Sequence, residues 1–191
     1  MQNDFFEAKR EFLPLTLVQH ASSNYGPRTG ENARGAAVTA AFAIDFTTHG
    51  EILTKKMAGL RYIAVVYGSD VSSAAAAVAL KLQHQYGHSL NVAGNGIYSL
   101  SHAGVTQLQA NQWVYDVLKQ VHKSNPLELI RSGGQTGVDT AGLVAGLALD
   151  IPVVGLYPSG YKRRNSKKQD FESTVEVLTQ ELWESVKQLK R

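Results

Sequence analysis

The most distinctive chemical motif of the sequence is a glycine-rich run: Ser132, Gly133, Gly134, Gln135, Thr136 and Gly137. Glycine lets a backbone turn sharply and approach a ligand without a side-chain clash. The hydroxyl and amide side chains of the run add hydrogen-bonding groups. A helix that begins directly after the run would offer unpaired N–H groups and a partial positive charge to an anion. The motif therefore predicts binding of a phosphate-bearing ligand.

Asp139 lies in the first turn of that predicted helix and is the candidate catalytic residue. As a functional group it would contact a ribose hydroxyl or a base amine, and as a structural group it would compensate the helix dipole. The glycine-rich run is not a Walker loop, because no Gly-Lys-Ser/Thr follows, and it does not match the Gly-x-Gly-x-x-Gly fingerprint. A tight strand-to-helix turn without a ligand also fits this composition.

Buried-strand patterns alternate with helical patterns from residue 60 onward. Strands are predicted over 60–67, 90–93, 127–131 and 151–156, and helices over 72–86, 105–122, 138–149 and 173–189. Such alternation implies a parallel sheet with right-handed crossovers. The predicted fold class is α/β: a Rossmann-like three-layer α/β/α domain with a mostly parallel sheet, spanning 60–191.

Small and polar residues follow the predicted strands at their carboxyl ends. Besides the glycine-rich run, these are Gly68, Ser69, Asp70, Gly94, Asn95, Gly96, Pro158, Ser159 and Gly160. Ligands of open α/β sheets bind at the carboxyl edge, in the crevice where the strand order reverses. All these residues are therefore predicted to contribute to one binding edge.

Residues 1–59 are predicted to be an N-terminal extension that packs on the same domain. The weak periodicity of 1–20 fits a short helix or a loose arm, and the turn formers of 22–32 predict a loop. A strand follows over 37–46, and Thr48 with Glu51 predicts a capping box for a helix over about 49–58. Arg28 and Arg34 could contact a ligand phosphate, but a solvated loop is the favoured interpretation.

The positive charge of the chain is concentrated in one segment. The formal net charge is +3, and the excess lies in Lys162, Arg163 and Arg164 together with Lys167 and Lys168. This run starts on the predicted binding edge, so Lys162 and Arg163 are expected to contact a ligand phosphate in a loop that closes over it. Solvated surface and non-specific attraction of nucleic acid are the alternatives.

The run from Ser132 to Asp139, followed by a helix and by Ile151-Pro152-Val153-Val154-Gly155 with Pro158, resembles the SLOG superfamily. That group includes the DNA-processing protein DprA, the lonely-guy enzymes, YpsA-like proteins and the molybdenum-carrier branch. The form Gly-Gly-Gln-Thr-Gly-Val-Asp is most similar to the YpsA-like and molybdenum-carrier branch. The resemblance covers roughly 60–165.

This resemblance implies a Rossmann-like fold that binds nucleotides or nucleotide-derived molecules. The molybdenum-carrier branch implies a molybdopterin-type cofactor, which also carries phosphate; the sequence identifies no other cofactor. The sequence therefore predicts a sensor or carrier of a phosphate-bearing small molecule. The alternatives are a nucleotide hydrolase of phosphoribohydrolase type and a DprA-like DNA-associated module. Lonely-guy enzymes have a Pro-Gly-Gly-x-Gly-Thr motif with a following Glu. In this sequence Arg131 and Ser132 precede the two glycines, where that motif has its proline.

Composition excludes several other classes of site. The chain has no cysteine, so disulfides, thiolate metal sites and cysteine nucleophiles are excluded. His84 and His88 share helical spacing without a third ligand, and no metal site is predicted. The charged start is unlike a signal peptide, and no apolar run has the length of a membrane span, so a soluble cytoplasmic protein is expected. A homo-oligomer is also expected; the apolar face with Trp113, Val117 and Val121 would serve as its interface or belong to the core.

Overall fold

The computed structural model describes residues 14–190. Its main strands are β1 (Leu15–Gln19), β2 (Val38–Ala43), β3 (Tyr62–Val66), β4 (Ser89–Gly94), β5 (Leu129–Ser132) and β6 (Val153–Tyr157). Its helices are α1 (Tyr25–Arg34), α2 (His49–Ala58), α3 (Val71–His84), α4 (Ile97–His102), α5 (Gln107–Ser124), α6 (Val138–Ala148) and α7 (Val175–Gln188). Two short strands, β7 (Arg163–Arg164) and β8 (Asp170–Phe171), form an antiparallel hairpin between β6 and α7.

The six main strands form one parallel sheet in the order β1-β6-β5-β4-β2-β3. When crossovers are right-handed, helices whose connections run towards one edge of the sheet lie on one face of it, and helices whose connections run towards the other edge lie on the opposite face. Accordingly, α1 packs on α2, whereas α5 packs on α3 and α6, and α7 packs on α6. The predicted three-layer α/β fold is therefore confirmed.

The core lies mainly between the sheet and the layer formed by α3, α5, α6 and α7. Phe42, Leu90 and Ile130 project from central strands and are completely buried. Val117 and Val121 of α5 are buried in the same core, so this face of α5 is not a surface for self-association. Within residues 14–190, no helix combines the length and the apolar character needed to cross a bilayer.

The N-terminal part of the chain is built into the sheet. Residues 15–19, part of the segment expected to be an arm or helix, form the edge strand β1 beside β6; residues 1–13 of that prediction lie outside the described residues. β2 lies between β4 and β3, so a boundary at residue 59 would divide one sheet. The helix predicted over 49–58 is confirmed as α2.

The loop predicted over 22–32 is wrong, because α1 begins at Tyr25. Pro27 occupies the first turn, where backbone N–H groups have no intrahelical partner in any case, so its missing donor costs nothing there. Arg28 and Asn32 face inward and are buried. Turn-forming residue types therefore concealed a helix that is stabilised by tertiary contacts.

Helix α6 lies unusually close to the sheet because it carries glycines on its inner face. A Cβ atom at Gly142 would lie 2.5 Å from the Cβ of Val92 in β4, closer than carbon atoms can pack. This approach fixes the height of α6 above β4 and β5, and with it the position of the glycine-rich run.

We expect the substitution Gly142→Ala to destabilise the protein by about 1–3 kcal/mol, because the added methyl group overpacks the interface between α6 and β4. Thermal unfolding measures the effect. Gly50→Ala is the matched control: a Cβ there has no neighbour within 4 Å, and alanine favours the helix by up to about 1 kcal/mol. Equal melting temperatures of the two variants would contradict the described packing of α6.

Candidate functional site

A cavity of about 600 Å³ lies at the carboxyl edge of the sheet. From β2 the chain runs through α2 to β3, towards one edge of the sheet. From the neighbouring β4 it runs through α4 and α5 to β5, towards the opposite edge, and the cavity is located between these two strands. This reversal is the topological switch point at which α/β proteins bind ligands. The walls of the cavity come from α1, α2, the segment after β4, the glycine-rich run and the β7–β8 hairpin.

The glycines of the run permit close packing within the protein. Gly134 has a φ of 67°, and a Cβ there would lie 2.1 Å from the ring of Tyr157. Gly137 has a φ of 100°, and a Cβ there would lie 2.6 Å from the backbone of Asn95. Left-handed φ values and contacts this short both require glycine. Substitutions at these positions would therefore disturb folding before they reported on binding.

Several N–H groups at the start of α6 already have acceptors in the chain. The N–H of Gln135 donates to Oδ2 of Asp139, and the N–H of Thr136 donates to the Gln135 side chain. The N–H of Gly137 donates to Oε1 of Gln107 at 2.6 Å. The run therefore borders the cavity with Gly133 and Gln135, and the N–H groups of its last three residues are engaged within the protein.

Asp139 forms a buried ion pair with Arg28 of α1. Arg28 Nη1 donates to Asp139 Oδ2 at 3.0 Å, and the two side chains are each 8% exposed. Burial raises the pKa of Asp139, and the guanidinium of Arg28 opposes that rise. The interpretation of Arg28 as part of a solvated loop is therefore wrong, since the guanidinium is buried against a carboxylate.

Glu51 is a second buried carboxyl group in this cavity, and sequence reasoning did not identify it as functional. The residue is 3% exposed, and its Oε2 has no hydrogen-bond partner among residues 14–190. Burial, together with the charges of Asp139 and Asp45, raises the pKa of Glu51 to about 8. Thr48 does cap α2 by accepting from the Glu51 N–H. The sequence therefore predicted the role of Glu51 in the cap of α2 and gave no sign that its carboxyl group is buried in the cavity.

Unsatisfied polar atoms are concentrated at the buried end of the cavity, which we call the floor. In the described part of the chain, six buried side-chain nitrogen or oxygen atoms have no hydrogen-bond partner. Four of them belong to residues that line the cavity: Arg28 Nε, Asn32 Oδ1, Glu51 Oε2 and Asn91 Oδ1. Buried polar groups in native proteins are nearly always hydrogen-bonded. A cluster of exceptions in one cavity therefore indicates groups that a ligand would satisfy.

The exposed end of the cavity, which we call the mouth, combines aromatic rings with cations. The ring centroid of Tyr25 lies 5.1 Å from Lys162 Nζ and 5.2 Å from Arg164 Cζ. Arg28, whose guanidinium is paired with Asp139 at the floor, lies 5.7 Å from the same ring. Lys168 lies 5.3 Å from the ring of Tyr98. Apart from Lys162, all these residues line the cavity, so the mouth is the positively charged part of the site.

The β7–β8 hairpin is attached to the glycine-rich run at the mouth. The N–H of Arg164 donates to Oε1 of Gln135 at 2.6 Å, and the Thr136 hydroxyl donates to the Arg164 carbonyl. Within the hairpin, Arg164 pairs with Asp170 at 2.7 Å, and Asp170 also accepts from the Tyr25 hydroxyl. The basic segment expected to be a loop is therefore a short hairpin joined to the site by defined hydrogen bonds.

The predicted binding residues fall into two groups. Those that line the cavity are Gly94, Asn95, Gly96, Gly133, Gln135 and Asp139. The Asn95 side chain also has a structural role, because its Oδ1 accepts from the N–H groups of Ile44 and Asp45. It thereby fixes the segment between β2 and α2.

The segment after β3 is not part of the lining. Gly68, Ser69 and Asp70 follow the edge strand β3, which is separated from β5 by β2 and β4. Asp70 caps α3 by accepting from the Ser73 N–H, and the Ser69 carbonyl accepts from Trp113 Nε1. These three residues have local structural roles, because the strand that they follow lies at the margin of the sheet.

The segment after β6 likewise lies apart from the cavity lining. Pro158 is buried; the N–H of Ser159 donates to the Ser22 carbonyl, and the N–H of Gly160 donates to Gln19 Oε1. Ser132 is buried in β5 and donates to the Val92 carbonyl. These contacts join the end of β6 to β1 and β5 to β4.

Arg163 belongs to a different region. Its guanidinium donates to Glu181 at 2.7 Å and to Ser173 at 2.9 Å, and it lines a second cavity of about 420 Å³ together with Thr136. Alternate residues of a strand point to opposite sides, which explains why Arg163 and Arg164 separate. Among residues 14–190 there is no group of three or more His, Asp and Glu residues that could hold a metal ion.

Fold and site together define a Rossmann-like α/β protein with a cavity at the carboxyl edge of its sheet. Residues 130–181 match the family model described as the circularly permutated YpsA SLOG family. This match supports the SLOG superfamily assignment made from the motif, and it does not distinguish the molybdenum-carrier branch. A comparison with curated proteins found no match.

Among solved structures, the chain is similar to the crystal structure of a GH18 chitinase from Pseudoalteromonas aurantia, with 14% sequence identity and a TM-score of 0.33. The alignment covers 74% of this chain and 66% of that chain, just under two thirds of its length. Similarity at this level says nothing about the activity of this protein.

We expect the stability of the protein to depend on pH through Glu51. The pKa of this carboxyl group rises from an ordinary value of 4.5 to about 8 on folding. Between these two pH values the folded protein binds a proton that the unfolded chain lacks, so the free energy of unfolding falls as the pH rises. Glu51→Gln removes this contribution and makes the dependence on pH shallower, which urea unfolding between pH 5 and 9 would measure.

Glu128→Gln is the control for that experiment, because Glu128 is an exposed carboxyl group outside the cavity. Its pH dependence should match that of the wild-type protein. If Glu51→Gln and the wild type lost stability equally over this range, Glu51 would not be the buried acid that the structure describes.

Proposed function

We propose that the protein binds a nucleotide-like, phosphate-bearing small molecule in the cavity at the carboxyl edge, as a sensor or a carrier. The observation that carries this proposal is the difference in chemistry between the two ends of the cavity. One end is a buried set of neutral and paired polar groups, and the other is a mouth with Arg164, Lys168 and two tyrosine rings. A molecule with a polar ring system at one end and phosphate at the other is complementary to that arrangement.

The size and position of the cavity support this proposal. Small-molecule sites have volumes of roughly 300–1,000 Å³, and this cavity has about 600 Å³. The first turn of α2 lines it with His49 and Gly50.

The SLOG match supports the same class of ligand. Residues 130–181 include β5, the glycine-rich run, α6 and the basic hairpin, which are the parts that form one side of the cavity and its mouth. Membership of that superfamily suggests nucleotide-related binding. A molybdopterin-type phosphate is a narrower form of the proposal, and pterin phosphates belong in any binding panel.

One observation favours a second candidate, a nucleotide hydrolase of phosphoribohydrolase type. Glu51 and Asp139 line one cavity, and their environments differ: Glu51 has no cationic partner among residues 14–190, whereas Asp139 is paired with Arg28. Two carboxyl groups in different environments can divide acid and base roles. Release of free base from a bound nucleotide would identify this activity, whereas a sensor or carrier would return its ligand unchanged.

A DNA-associated function has less support. Arg163 is engaged with Glu181 and Arg164 is paired with Asp170, so the basic run presents less free positive charge than its sequence indicates. A nucleic-acid surface usually extends along a broad basic face.

The binding test uses thermal stabilisation by a panel of nucleotides, modified nucleotides and pterin phosphates. A ligand present at about 100 times its dissociation constant adds roughly 2.7 kcal/mol to the free energy of unfolding. We expect Lys168→Gln to weaken binding of the active compound about tenfold, because a hydrogen bond to a charged group contributes about 1.5–3 kcal/mol.

Lys187→Gln is the matched control, since it removes the same charge from an exposed position on α7, in the opposite helical layer. It should bind the compound as tightly as the wild type does. If no compound in the panel stabilised the wild-type protein, the proposed function would be wrong. If the two lysine variants lost affinity equally, the phosphate would not lie at the mouth.

A further inference from the structure

The floor of the cavity has a specific hydrogen-bonding pattern. Asn32 Nδ2 donates to the Leu156 carbonyl at 3.4 Å, and a carbonyl can only accept, so this contact orients the amide. The Oδ1 of Asn32 is left without a partner among residues 14–190. The Nδ2 of Asn91 donates to Thr39 Oγ1 at 3.2 Å, and its Oδ1 has no partner in the same part of the chain. A hydroxyl both donates and accepts, so the contact with Thr39 does not by itself orient this amide. In the described arrangement, two buried amide oxygens lack hydrogen-bond donors.

The same region has no positive charge left for an anion. The guanidinium of Arg28 is neutralised by Asp139 at 3.0 Å. Glu51 adds either no charge or a negative one, depending on its protonation. A phosphate placed here would lose its hydration and face two carboxyl groups with a single, already paired cation, which is an unfavourable arrangement. The phosphate of a ligand is thus directed to the mouth.

We propose that the floor recognises the neutral, hydrogen-bond-donating end of the ligand, with its phosphate at the mouth. This inference rests on the proposed function and adds the orientation of the ligand and the residues that select it. The donating group is a set of ribose hydroxyls or the amino group of a base, since both supply donors to Asn32 and Asn91. Hydroxyls or ring nitrogens also supply an acceptor for Arg28 Nε.

Glu51 is the specificity-determining residue in this arrangement. Its side chain is at least nine-tenths buried, it lines the cavity, and its Oε2 has no partner within residues 14–190. A neutral carboxyl group offers one donor and one acceptor, the pattern that a glutamine amide reproduces and a methionine lacks. Glu51→Gln should therefore retain ligand selection, whereas Glu51→Met should weaken it.

The first arm of the test uses the protein without added ligand. A buried polar group that serves binding costs stability when it has no partner, so its removal stabilises the fold. We expect Glu51→Met to raise the melting temperature, and the exposed control Glu128→Met to leave it unchanged. A melting temperature lowered by Glu51→Met would show that the carboxyl group supports the fold, and would overturn its assignment to the ligand.

The second arm measures dissociation constants by calorimetry for three probes. These are adenosine 5′-monophosphate, its 2′,3′-dideoxy analogue and inosine 5′-monophosphate, which share the phosphate and differ in hydroxyl or amino groups. For the wild type we expect one of the two analogues to bind at least about tenfold more weakly than the parent, because the site's acceptors would be left unsatisfied. The weaker analogue identifies the group that reaches the floor. In Glu51→Met the difference should shrink, because one polar group of the floor is lost while Asn32 and Asn91 remain, and in Glu51→Gln it should persist.

The outcomes separate this inference from the proposed function. If all three probes bound the wild type equally and Lys168→Gln weakened all of them, phosphate binding would stand and the assigned role of the floor would be wrong. If none of the probes bound while a pterin phosphate did, the donor inference for nucleotides would be wrong and the wider binding function would stand. If nothing in the panel bound, both proposals would be wrong.

Discussion

The buried ion pair between Arg28 and Asp139 is the interaction on which the site depends. It joins α1, from the N-terminal part of the chain, to the first turn of α6 across 111 residues of sequence. Gly133 makes the contact possible, because a Cβ there would lie 1.1 Å from Arg28 Nη1. A buried charge is costly unless it is paired. The glycine-rich run, the inward face of α1 and the charge on Asp139 therefore form one mutually dependent unit.

This pair also determines how charge is distributed in the cavity. Because Asp139 neutralises the buried arginine, the floor has no cation free for a phosphate, and Glu51 is held in a site that favours its neutral form. The available positive charge lies at the mouth, on Lys168, beside Arg164, which is partly exposed and paired with Asp170. The resulting gradient from neutral floor to basic mouth is the physical reason for assigning one orientation to a phosphate-bearing ligand.

The alternation of strands and helices, and the contribution of the segments after β4 and β5 to the cavity, could be predicted from the sequence because both follow from local patterns. The N-terminal part could not. The Gly26-Pro27 pair indicates a turn, yet α1 is stabilised by contacts of Arg28 and Asn32 with distant residues. The backbone N–H of Glu51 takes part in the capping motif of α2, which is a local feature of the sequence. The burial of its carboxyl group results only from tertiary packing. Which polar loops reach the cavity depends on strand order, which the loops themselves do not encode.

The most direct test of this account is a crystal structure of the protein with a bound ligand from the binding panel, and adenosine 5′-monophosphate is the first probe. The account predicts a ligand in the 600 Å³ cavity, with its phosphate near Arg164 and Lys168 and its sugar or base donating to Asn32 and Asn91. The Arg28–Asp139 pair should remain intact. A phosphate bound to Arg28 at the floor, with Asp139 displaced, would contradict the account.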